Sequence, residues 1–186
     1  GSHMQEVLEH YMPSIENSDV LDRLELEPRN YFLLSAHREE NVDSPDNLRD
    51  LLDTLSALVD RHQKPIIIST HPRTRQRLEK LGTEGLDSRI RFLKPFGFFD
   101  YVKLQMEAFC VLSDSGTITE ETSLLNLPAI TIRNAHERPE GMDEGVLIMS
   151  GLKAKRVLHA VQVVTQQHAN AQAPRIVPDY QVEQVS

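Results

Sequence analysis

The chain has no tryptophan and a single cysteine, Cys110, in 186 residues. One cysteine excludes an internal disulfide and a thiolate zinc site, and it fits a reducing, cytoplasmic setting. No apolar run approaches the roughly 20 residues needed to cross a bilayer, so no membrane partner is expected. Basic residues are in deficit: 20 Lys and Arg stand against 28 Asp and Glu, for a formal charge of −8. That balance argues against nucleic acid or an anionic membrane as the main partner. It does not argue against a small anion, which a few local cations and backbone amides can hold. The histidines form no H-x-x-x-H pair, so neither a metal nor a cofactor is expected.

What is present reads as one globular domain, with 39% hydrophobic and 26% charged residues. Gly1-Ser2-His3-Met4 resembles an expression scar, which sets residues 1–4 apart. Residues 5–29 read as a helical linker of one or two short helices. Residues 30–170 read as the domain, and 171–186 as a truncated crossover tail. Within the domain, short apolar runs alternate with helical stripes. Strands are expected at 31–36, 66–69, 90–93, 109–112, 129–132 and 146–149. Ser44-Pro45 is a helix start, with Ser as N-cap and Pro at the first helical position, and Leu48, Leu51, Leu52, Leu55, Leu58 and Val59 follow at helical spacing. Further helices are expected near 73–81, 99–108, 117–125, 139–143 and 153–168. The alternation predicts an α/β fold: a Rossmann-like parallel sheet with helices on both faces.

In such a sheet, ligands bind beyond the carboxyl ends of the strands. The loops there carry His37-Arg38-Glu39-Glu40-Asn41, Thr70-His71-Pro72-Arg73, Lys94-Pro95-Phe96-Gly97-Phe98, Ser113-Asp114-Ser115-Gly116-Thr117 and Arg133 to Glu140. The Ser113–Thr117 turn is the strongest element. Small residues between a buried strand and a helix let backbone amides approach an anion, and the helix terminus adds partial positive charge. The same residues support a plain capping role, because Thr117-Ile118-Thr119-Glu120 fits a capping box with Glu120 reaching back. That assignment leaves Glu121 without a local duty. Phe96 either covers a base or fills core. The adjacent pair Glu39-Glu40 reads as solvated rather than as an acid and a base.

Three motifs, Ser35-Ala36-His37-Arg38-Glu39-Glu40-Asn41, Ser113-Asp114-Ser115-Gly116 with Glu120-Glu121, and His136-Glu137-Arg138-Pro139-Glu140, occur in this order. Together they resemble the non-hydrolysing UDP-N-acetylglucosamine 2-epimerases, over about Tyr31 to Val164. The resemblance implies the C-terminal half of a glycosyltransferase-B-like fold, with the active site in a cleft against a missing N-terminal domain. It implies UDP or a UDP-N-acetylhexosamine as ligand, UDP elimination and re-addition through a 2-acetamidoglucal with inversion at C2, and a homodimer as a further partner expectation. It implies His37 as the catalytic group at the pyrophosphate. Arg38, Phe96, Ser115, Gly116, Thr117, Glu121 and Arg138 are implied as ligand contacts, with Glu121 on the ribose. The acid and base belong to the other half, so this chain alone is expected to be inactive. Family members often have two glycines where this chain has Gly116-Thr117. Three alternatives stand beside this reading: the same chemistry on a 6-deoxy sugar for capsule or O-antigen synthesis, a glycosyltransferase donor domain, and a nucleotide-sensing module without catalysis.

Overall fold

Residues 3–38, 41, 43–133 and 147–172 are described by the computed structural model of the chain. The six strands are β1 (Phe32–Ser35), β2 (Ile66–Ser69), β3 (Ile90–Leu93), β4 (Cys110–Ser113), β5 (Ala129–Thr131) and β6 (Ile148–Met149). They form one sheet in the order β3-β2-β1-β4-β5-β6, and every pairing is parallel. The helices are α1 (His3–Glu16), α2 (Val20–Arg23), α3 (Pro45–His62), α4 (Pro72–Leu81), α5 (Phe98–Glu107), α6 (Ile118–Leu125) and α7 (Ala154–Gln172). The fold is therefore the expected Rossmann-like α/β sheet. The expected helix near 139–143 lies outside the described residues.

The central strands β1, β2 and β4 read as apolar runs ending in serine because both their faces are covered, while the edge strands β3 and β6 are mostly half-buried. Successive side chains point to opposite sides. Phe32, Leu34, Ile66, Ile68, Cys110 and Leu112 enter one core with the stripes of α3, α4 and α7. Tyr31, Leu33, Ile67 and Val111 enter a second core with α2, α5 and α6. Burying each such Leu or Ile contributes about 1.5–3 kcal/mol. A third, smaller cluster joins Leu8 and Ile15 of α1 to Val102 of α5.

Local signals explain most element ends. The Ser44 side chain accepts a hydrogen bond from the Asn47 amide at 3.2 Å, with Pro45 at the first helical position. Gln63 closes α3 in the left-handed conformation, φ 55°. Most expected boundaries move by a few residues, and two of the shifts are informative. The fourth strand begins at Cys110 rather than Phe109, because the Phe109 ring belongs to an edge-to-face cluster with Phe32 and His62 at the other end of the sheet. The first helix is not short: α1 runs 14 residues, takes in His3 and Met4, and continues through Pro13.

His62 is held between the rings of Phe32 and Phe109, with its buried Nε2 unpartnered among the described residues. Burial depresses its pKa, and Lys64 and Arg61 act the same way. Burial lowers that of His168 as well, with Arg29 adding to it and the hydrogen bond to the Asn126 carbonyl opposing. A histidine depressed in the folded state binds its proton better when unfolded. Its contribution is therefore fully present above about pH 6.5 and is lost as pH falls below that value. The unfolding midpoint in urea is expected to drop between pH 7.5 and 5.5. His62→Phe is expected to flatten that drop; an equally steep profile in the variant would contradict the assignment.

Candidate functional site

The strand order places β1 and β4 side by side at the centre of the sheet, and their following loops depart in opposite directions. That is the switch point at which an open parallel sheet leaves a crevice. Ser35 and Ser113 are register partners there, flanked by Ser69 and Thr131 on the next strands outward. All four are buried, so the carboxyl rim of the sheet is a row of hydroxyls above an apolar core.

Asp114, the residue after β4, builds the crevice. Its side chain is 1% exposed. A carboxylate buried that deeply must be compensated by donors. The His37 amide donates to it at 3.0 Å, the Arg38 amide at 2.9 Å and Asn41 Nδ2 at 2.9 Å. The Asp114 amide in turn donates to the Ser35 carbonyl at 3.2 Å. One side chain thus pins the loop after β1 to the turn after β4, across 73–77 residues of sequence.

The turn itself is a chain of hydrogen bonds. The Ser115 amide donates to Ser113 Oγ at 3.0 Å, and the Thr117 amide to Ser115 Oγ at 3.2 Å. Ser115 Oγ and Thr117 Oγ1 are 3.0 Å apart. Thr117 Oγ1 donates onward to Glu121 Oε2 at 2.9 Å, and Gln105 Nε2 donates to Glu121 Oε1 at 2.8 Å. The expected capping box is therefore corrected. Thr117 sits at φ −94°, ψ 1° and makes no side-chain cap. A box needs an extended N-cap that turns its oxygen toward the third amide. Here the hydroxyl instead meets the carboxylate four residues on, one helical turn away. Glu121, not Glu120, is the acidic partner, so Glu121 does have a local duty.

Gly116 is exposed, and its amide makes no hydrogen bond among the described residues. A Cβ added there would meet nothing within 4 Å, and its φ lies outside the left-handed region. Nothing in the fold therefore demands glycine at this position. The backbone is open to close approach from outside at this point.

His37 is exposed above its Asp114-bound amide, and with His71, Arg73 and Thr74 it lines a cavity of about 290 Å³. His71 also caps α4, its Nδ1 accepting from the Arg73 amide at 3.1 Å. Arg38 is half-buried beside His37. Phe96 is half-buried against the second core, while Phe98 and Phe99 stay exposed and contact Tyr11. Arg138, with the rest of the third motif, lies outside the described residues. The sequence reading gave no role to Asp114, Gln105, Tyr101 or Ser35. Tyr101 of α5 shares a 2.7 Å hydrogen bond with Ser35 Oγ. Burial pushes its phenol pKa up; the Ser35 bond opposes this, and the Glu121 and Asp114 carboxylates reinforce it. The one available signal was an acidic residue inside a small-residue turn at a strand end. No group of three or more His, Cys, Asp or Glu among the described residues is placed to hold a metal ion. No helix among them is long and apolar enough to cross a membrane.

Comparison with known proteins completes the description. The family model for UDP-N-acetylglucosamine 2-epimerase matches residues 1–186. The structure of UDP-N-acetylglucosamine 2-epimerase from Rickettsia bellii is 58% identical, with a TM-score of 0.83, over 94% of this chain and 46% of that one. The Methanocaldococcus jannaschii UDP-GlcNAc 2-epimerase, in complex with UDP-GlcNAc and UDP, is 29% identical, with a TM-score of 0.77, over 89% of this chain and 47% of that one. In sequence, the UDP-N-acetylglucosamine 2-epimerase of that organism is 34% identical over 147 residues, which is 77% of this chain and 40% of the relative. The chain thus spans less than half the length of these relatives.

Proposed function

Since the chain belongs to the UDP-N-acetylglucosamine 2-epimerase family, we propose that it is the nucleotide-holding half of an enzyme that inverts C2 of a UDP-N-acetylhexosamine in the cytoplasm. The observation that carries the reading is the Asp114 junction. It sets His37 and Arg38 on one lip with Ser115, Gly116 and the start of α6. A diphosphate at this lip meets the Gly116 amide, the Ser115 hydroxyl and the positive end of α6. In this reading Glu121 takes the ribose diol and Phe96 the base, and the family resemblance assigns Arg138 to the phosphate side.

The reaction begins when a base takes the C2 proton. The C–H electron pair forms the C1–C2 double bond of a 2-acetamidoglucal, and the C1–O bond breaks with its pair going to the β-phosphate. This chain supplies the stabilisation of that developing charge: amides, the Ser115 hydroxyl, His37 and cationic side chains aimed where negative charge grows. Re-addition of UDP with proton delivery to the opposite face completes the inversion. Proton transfer at C2 needs positioned carboxylates. Asp114 and Glu121 are already committed to amides, Thr117 and Gln105. The family resemblance assigns the acid and base to the other half of the enzyme, the partner this reading requires.

Two measurements test it. Calorimetry is expected to give UDP a Kd of about 0.1–10 mM, because half of a cleft leaves the sugar uncovered. ADP is expected to bind more weakly than UDP. NMR is expected to show no exchange of the substrate's C2 proton with deuterium by this chain alone. Exchange at C2, or equal affinity for ADP and UDP, would contradict the assignment.

A further inference from the structure

Gln105 is unusual among the residues around the crevice. It is an uncharged polar side chain, 1% exposed, on the face of α5 that otherwise buries Leu104 and Tyr101. Leaving an amide that deep without a partner is costly, so its placement requires compensation. The compensation is Glu121: Gln105 Nε2 donates to Oε1 at 2.8 Å, from a different helix. Thr117 Oγ1 donates to the other oxygen, Oε2, at 2.9 Å. The carboxylate is gripped from both sides, once from the buried side and once from the surface.

We propose that Gln105 and Thr117 are positioning residues that fix the Glu121 carboxylate for recognition of a vicinal diol. The inference rests on the assignment of Glu121 to the ribose. An ionised carboxylate offers about four lone-pair sites. Gln105 and Thr117 use one on each oxygen and leave one on each. Two remaining acceptors about 2.2 Å apart in a fixed plane match two adjacent hydroxyl donors, and a carboxylate free to turn about its last bond would lose that match. Thr117 brings a hydroxyl to the turn, and that hydroxyl is spent on Glu121 instead of crowding the phosphate.

The grip also has a direction. Thr117 donates to Glu121, so the proton shared between Ser115 Oγ and Thr117 Oγ1 comes from Ser115. A phosphate that takes the Ser115 proton leaves Thr117 Oγ1 still donating to the carboxylate. Diphosphate binding therefore does not dismantle the diol site.

The test is calorimetric titration of the 186-residue chain with UDP and with 2′-deoxy-UDP. Gln105→Met keeps the buried volume and removes the amide, the Nε2 donor to Glu121 included. Thr117→Val removes the other donor at an exposed position, where folding is not at stake. Each variant is expected to lower UDP affinity about 5–10-fold and to leave 2′-deoxy-UDP affinity within about twofold, so that the preference for the ribonucleotide contracts. A purely structural role would lower both affinities together. Equal losses for the two ligands, or an unchanged preference in both variants, would overturn the proposal. Wild-type protein that binds the two ligands equally would overturn the ribose assignment itself, and this role with it; that failure is visible before any variant is made.

Discussion

Asp114→Ala is expected to cost about 2–4 kcal/mol of folding stability and to weaken UDP binding at least tenfold. The side chain accepts hydrogen bonds from two backbone amides and from Asn41 Nδ2 while 1% exposed. Removing a shared acceptor leaves each donor in a buried or half-buried place without a partner. Each such loss costs about 1–3 kcal/mol, less where water enters. The binding loss has a separate origin. Without Asp114, nothing of comparable strength among the described contacts holds the 37–41 loop against the β4 turn, and His37 and Arg38 no longer share a lip with Ser115. Asp114→Asn is expected to keep part of the junction, because its Oδ1 can stand where Asp114 Oδ2 accepts from the His37 and Arg38 amides and Asn41 Nδ2, while the charge is lost and its Nδ2 faces the His37 amide. Urea unfolding measures the first effect and calorimetry the second. An Asp114→Ala protein with wild-type stability and affinity would show that this junction organises neither.

Ser115→Ala is expected to weaken UDP binding by about 1.5–3 kcal/mol, roughly 10- to 150-fold, the usual range for a hydrogen bond to a charged group. Its effect on stability is smaller. The hydroxyl accepts from the Thr117 amide and donates to Thr117 Oγ1 in a half-exposed turn, where water replaces it. The contrast with Asp114 is informative: one residue serves the ligand, and the other serves the loop that meets it. Parallel titrations at two salt concentrations separate this loss from a general loss of positive potential, which salt would mimic. If Ser115→Ala binds UDP like the parent, the diphosphate does not lie at this turn.

The sheet was legible in the sequence because its strands are buried on both faces. Phe32 to Leu34 and Ile66 to Ile68 leave no polar position to confuse the period. The start of α3 was legible because Ser44 and Pro45 act locally, through the Asn47 amide three residues on. The loops that gather at the carboxyl edge followed from the topology rule alone. What was not legible depends on pairing at a distance. Asp114 meets partners 73–77 positions earlier, and Gln105 meets Glu121 from another helix. In sequence, Gln105 is one polar residue on a helix, and Asp114 is one acid in a turn. The capping-box expectation failed for a different reason. The pattern Thr117-Ile118-Thr119-Glu120 is present, but the backbone at Thr117 has ψ 1°, and the side chain follows the helix to Glu121. Residue types announced a cap, and one dihedral angle redirected it.

The central claim is that a uridine diphosphate lies across the turn after β4, with its phosphates at Ser115 and Gly116 and its ribose at Glu121. Amide chemical-shift mapping by NMR, with UDP titrated into the 186-residue chain, tests it most directly. The largest saturable shifts are expected at Gly116, Thr117 and Glu121, with smaller ones at His37 and Arg38, and none at Lys64 or His168 at the opposite end of the sheet. Shifts concentrated at Lys64 and His168, or an undisturbed Gly116 amide at saturating UDP, would contradict the account.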